Sequence, residues 1–66
     1  MKLTVNGNPH EHAGDGSLDA LLRELGADPA RVALMVNDKV IGRDARVAVR
    51  LQPRDRVEVL VFAGGG

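Results

Sequence analysis

Leu18, Leu21, Leu22 and Leu25 fall at i, i+3, i+4 and i+7, the spacing of a helix that hides one face and wets the other. Ser17 stands where an N-cap hydroxyl is wanted, and Asp19 brings negative charge to the first turn. Gly26 follows the last leucine, where a left-handed residue closes a helix. The spacing predicts one short helix over residues 18–25. The flanking segments alternate with period two, so the leucine face has a sheet to pack against, and the fold class is α+β.

The strands follow from that alternation. Leu3 and Val5 share one face of a first strand over 2–5, and Asn6-Gly7 is the dipeptide that best tolerates the positive φ of a tight hairpin. The return limb, 9–13, is polar and begins with a proline that cannot donate to a ladder, which places it at an exposed sheet edge. Val32, Leu34 and Val36 face one way in a further strand, Asn37-Asp38 turns the chain, and Val40-Ile41 is a short apolar pair. Val47, Val49 and Leu51 alternate as another strand, and Gln52-Pro53-Arg54-Asp55 is a turn. The last strand, 56–62, sends Val57, Val59 and Val61 to one side and Arg56, Glu58, Leu60 and Phe62 to the other. The expected architecture is a roll: a mixed sheet of four to five strands packed on one helix.

Size and composition narrow the function. The chain has 66 residues, which gives one domain over 1–62 with a flexible tail over 63–66. A chain this short buries only about 60% of the surface it exposes when unfolded, which leaves little room for a core and a substrate pocket together and argues against an enzyme. Nine Lys or Arg balance nine Asp or Glu, and Phe62 is the one aromatic, so a nucleic-acid partner is disfavoured. The chain contains no Cys, which removes thiol chemistry and fits a reducing cytoplasmic setting. Nothing in it has the length or continuity of a membrane span or a leader.

Side-chain chemistry is sparse. Ser17 is needed as a cap, and Thr4 lies on the polar side of its strand. His10 and His12 project from one face with Glu11 on the other, and with no third ligand nearby they read as surface histidines. The glycines at 14 and 16 lack the spacing of a phosphate cradle. Neither a metal nor a bound cofactor is expected.

The C-terminal end is the remaining candidate. Gly64, Gly65 and Gly66 carry no Cβ and can enter a channel too narrow for other residues, bringing the α-carboxylate with them. With Ala63 they reach about 13 Å beyond the last strand. A carboxylate is a poor electrophile, but once adenylated it can be attacked by thiols, persulfides or amines, so the chain itself would be the substrate. A run of terminal glycines can also be an inert end. Here it follows Leu60 and Phe62, an apolar pair opposite the valines, suited to docking a partner or to packing under the sheet's own edge.

These residues, taken together, resemble the small sulfur-carrier proteins of thiamine biosynthesis, the ThiS family. The resemblance runs through Val5-Asn6-Gly7, Ser17-Leu18 with Leu21-Leu22 and Leu25, Val36-Asn37 with Val40-Ile41-Gly42-Arg43, and Val57-Glu58-Val59 leading to Phe62 and the glycines. It implies a ubiquitin-like β-grasp fold. It further implies that a ThiF-like adenylyltransferase uses ATP to adenylate the carboxylate of Gly66, that sulfur relayed from a cysteine desulfurase converts it to a thiocarboxylate, and that thiazole synthase (ThiG-like) receives the sulfur. By the family pattern Gly65 and Gly66 form the reacting tail, and Leu60 and Phe62 belong to the docking surface. Gly64 departs from the commoner two-glycine ending, and Arg54-Asp55 stands where Gly-Asp is commoner. Two related readings stay open: a MoaD-like carrier of molybdopterin synthase, and a ubiquitin-like modifier that is joined to lysine amines. A third is an interaction module with an inert tail.

Overall fold

A computed structural model describes residues 1–62. Its elements in chain order are β1 (Lys2–Val5), β2 (Asn8–Glu11), α1 (Leu18–Leu25), a 3₁₀ turn (Pro29–Arg31), β3 (Val32–Val36), β4 (Lys39–Ile41), a second 3₁₀ segment (Arg43–Ala48) and β5 (Arg56–Val61). The five strands form one mixed sheet in the order β2-β1-β5-β3-β4. β5 therefore lies at the centre, parallel to β1 and antiparallel to β3, while β2 and β4 are the antiparallel edges.

The helix forms where its caps place it. Ser17 Oγ accepts from Ala20 N–H at 3.2 Å, and Gly26 adopts φ 68° with its N–H turned back onto the helix. Leu18, Leu21 and Leu22 are buried against Leu3 and Val5 of β1, Leu34 of β3, and Val57 and Val59 of β5. At about 1.5–3 kcal/mol for each fully buried leucine, this face is the largest identifiable source of stability in a domain without disulfides. Leu25 is the exception in the stripe. It lies at the helix's last turn, at the rim of the core, and stays exposed.

The hairpin turn is Asn6-Gly7, with φ of 49° and 80°, both positive as a two-residue turn requires. The return limb is shorter than the 9–13 expected from its polarity, since β2 pairs with β1 only over Asn8–Glu11. The larger departure is at 43–51. Instead of a strand carrying Val47, Val49 and Leu51, the chain winds into the 3₁₀ segment, leaves Val47 76% exposed and returns Leu51 to the core by an extended approach. Leu51 N–H donates to the Gly16 carbonyl at 2.8 Å, so this stretch packs across the mouth of the helix and adds no rung to the sheet. β5 ends at Val61 rather than Phe62, and Val61, beyond the reach of the helix, is exposed although it shares a face with Val57 and Val59.

Candidate functional site at the end of the last strand

The face of β5 opposite the helix carries Arg56, Glu58 and Leu60, and all three are exposed. Leu60 is 54% and Phe62 59% exposed, so neither packs under the sheet's edge. In the ladder Ala33 of β3 lies opposite Leu60, and Met35 lies opposite both Glu58 and Val40 of β4. Residues directly opposite share a face, so half-buried Ala33 and Met35 with exposed Val40 extend the apolar surface across three strands. Gly64, Gly65 and Gly66, which the sequence reading places at the reacting end, lie outside the described residues.

Two contacts fix this end of β5. Phe62 N–H donates to the Arg31 carbonyl at 2.9 Å, which continues the β3–β5 ladder past its last paired residues. On the other side, β1 turns away after Asn6 N–H bonds the Val57 carbonyl at 2.9 Å. The Asn6 side chain then takes the next rung alone. Its Oδ1 accepts from Val59 N–H at 2.8 Å and its Nδ2 donates to the Val59 carbonyl at 3.2 Å. Asn37, also at φ 49°, braces the start of β5: its Oδ1 accepts from Arg56 N–H at 3.0 Å and its Nδ2 donates to Asp55. The sequence marks both asparagines as turn residues and as part of the family pattern, without revealing these bonds. The missed signal is that an amide side chain at a positive-φ corner can reproduce a strand's paired donor and acceptor.

The histidines lie elsewhere, between β2 and α1. They do not behave as a surface pair: His12 is 2% exposed, and both rings meet one carboxylate. His10 Nε2 and His12 Nδ1 donate to Glu24 Oε1 at 2.8 and 2.9 Å, while Ala13 N–H donates to Oε2 at 2.8 Å. These bonds, that of His10 first and then that of His12, hold the Glu24 carboxyl down at about 2 from the usual 4.5. His12 Nε2 accepts from Gly16 N–H at 3.0 Å, so the buried His12 ring is hydrogen-bonded at both nitrogens and serves the structure of this corner. At the next corner, hydrogen bonds from Ser17 lower the Asp15 carboxyl below its ordinary value. Among the described residues no group of three or more His, Cys, Asp or Glu is placed to hold a metal ion. No helix among them is long and apolar enough to cross a membrane.

A mixed five-stranded sheet with one helix across it and an exposed apolar strand end defines a small α+β domain of the ubiquitin-like type. Comparison with solved structures agrees. The crystal structure of the thiamine biosynthesis protein ThiS from Geobacter metallireducens superposes with a TM-score of 0.80, at 38% identity and over the full length of both chains. The family model described as "ThiS family" matches residues 3–66, and the chain belongs to that family. Curated relatives include a protein named thiazole synthase from Magnetococcus marinus, 42% identical over all 66 residues, and another of that name from Paramagnetospirillum magneticum, 33% identical. The chain spans 20% of the length of each.

Proposed function

We propose that this chain is a sulfur carrier of thiamine biosynthesis and has no catalytic activity of its own. A ThiF-like partner joins the Gly66 carboxylate to AMP from ATP and releases pyrophosphate. A sulfide-level nucleophile then attacks the acyl carbon, AMP leaves, and a thiocarboxylate remains at Gly66. In the cell a cysteine desulfurase supplies the sulfur as a persulfide, whose attack expels AMP and leaves an acyl disulfide; a thiol reductant cleaves its S–S bond to the thiocarboxylate, which thiazole synthase consumes. The observation that carries this reading is the exposed pair Leu60 and Phe62 on a hydrogen-bonded strand end, directly before Ala63 and three glycines. Such a pair gives a partner an apolar grip next to the terminal carboxylate. Membership of the ThiS family, with the match running to residue 66, supports the same end as the reacting one. The synthase partner has separate support, because relatives named thiazole synthase carry a region like this chain within one longer polypeptide. That favours the thiamine branch over a MoaD-like role.

The test is intact mass after incubation with ATP, sulfide and a ThiF-like adenylyltransferase, with a chain lacking Gly65 and Gly66 as control. A gain equal to exchanging one oxygen for one sulfur, absent from the control, is expected. No gain with an enzyme competent on its own carrier would refute the reading, and amide-linked conjugates in its place would make the chain a modifier.

A further inference from the structure

Arg46 is an arginine without an acid. Among the described residues its guanidinium takes part in no ion pair, and its Nε is buried without a hydrogen-bond partner. Its donors go to main-chain oxygens instead: Nη1 to the Pro29 carbonyl at 2.8 Å and Nη2 to the Val32 carbonyl at 2.7 Å. Arg43, one 3₁₀ turn earlier, donates to the Ala30 carbonyl at 3.2 Å. With Arg31 these make four successive carbonyls, 29–32, and the third, that of Arg31, is the one that accepts from Phe62 N–H.

That segment needs outside support. A 3₁₀ turn of three residues is too short to hold itself, and the carbonyls of so short a turn must find their partners outside it. β4 pairs with β3 only from Leu34 onward, so on the side away from β5 the Val32 carbonyl has no strand beside it. A guanidinium supplies two charge-assisted donors in a fixed fork, a geometry suited to bracketing two carbonyls three residues apart in sequence.

We infer that Arg46 is a positioning residue for the C-terminal tail: by bonding the carbonyls on both sides of Arg31 it holds the Arg31 carbonyl where Phe62 N–H meets it, and so fixes the point from which residue 63 onward departs. The inference rests on reading the C-terminus as the reacting end. Without the bracket the Arg31–Phe62 rung is a single bond at a fraying strand end, and the last firm anchor on β5 retreats to Val59, where the Asn6 amide holds both backbone groups. Leu60 and Phe62 then no longer present a fixed surface beside the tail.

The experiment compares the native chain with Arg46→Met, which keeps an apolar stem, and Arg46→Lys, which can reach only one carbonyl at a time. Amide hydrogen exchange is read at Phe62, Val59 and Leu34. In Arg46→Met, Phe62 is expected to exchange about tenfold faster or more, with Val59 and Leu34 unchanged, and Arg46→Lys is expected to fall between. Unchanged exchange at Phe62 overturns the inference. So does acceleration at all three amides in both variants, which means Arg46 merely stabilises the fold. The second readout is adenylation kinetics with the ThiF-like enzyme: KM is expected to rise several-fold with kcat within about twofold, because docking is loosened and the carboxylate is untouched. Faster exchange at Phe62 with unaltered KM overturns the positioning role. If the native chain itself accepts no adenylate, the carrier reading fails, and exchange alone judges the bracket.

Discussion

Replacing Asn6 isolates a single side chain that finishes a β-ladder. Asn6→Gly keeps the positive φ of 49° open to the backbone and removes both amide bonds to Val59. Each such bond contributes about 0.5–1.5 kcal/mol net, so the pair is worth about 1–3 kcal/mol. Val59 is 8% exposed, so water cannot readily replace the lost partners, and the cost falls near the middle of that range or above, at about 2 kcal/mol. For a domain of this size each kcal/mol moves Tm by about 4–8 °C, which gives a fall of about 8–16 °C. Asn6→Ala adds the left-handed penalty of a Cβ, about 1–2 kcal/mol more. The assay is urea denaturation with a thermal melt on all three chains. A loss below about 0.5 kcal/mol for Asn6→Gly would refute the reasoning, because it would mean that Val59 is satisfied by solvent and that the central strand needs no side-chain rung.

Further outcomes follow from the same contacts. Glu24→Gln should destabilise most above pH 4.5: a carboxyl held down at about 2 contributes stability that is full above its unfolded value of about 4.5 and lost as pH falls towards 2, so urea midpoints of the two chains should converge across that window. Gly14→Ala puts a Cβ 2.8 Å from both Ala20 Cβ and His12 Cε1, and a loss of about 1–3 kcal/mol in the same denaturation assay is expected. Leu21→Ala empties a fully buried site, costs about 2–5 kcal/mol, and should leave the far-UV signal of the domain largely unfolded at 37 °C. Leu60→Glu and Phe62→Glu should change stability by no more than about 0.5 kcal/mol while abolishing capture by the adenylyltransferase, read by co-sedimentation.

The helix was legible in the sequence because its information is local: stripe, cap and left-handed stop all fall within ten residues, 17–26, and nothing distant overrides them. The outward face of β5 was legible for the same reason, through strict alternation. The segment 43–51 was not. Three apolar residues at i, i+2 and i+4 fit a strand, but the deciding forces are the Arg46 bonds to Pro29 and Val32 and the Leu51 bond to Gly16, all between residues distant in sequence. His12 likewise looks like any polar strand residue until the helix brings Glu24 to it, and pairing of β1 with β5 spans almost the whole chain.

That last pairing also governs how the molecule can assemble. β1–β2 and β3–β4 are hairpins that can close early through nearby residues, yet each is a two-stranded ribbon of marginal stability by itself. Both wait on β5, which is made after them and must slot between them before either has a second neighbour. The entropy of closing a loop of about twenty residues to β3 and one of about fifty to β1 is met before the central strand has both neighbours, so folding should be all-or-none with a late, product-like barrier. During synthesis the hairpins and helix would emerge as an uncommitted collapse, and native structure would lock only once the strand that leads into the glycines has cleared the ribosome.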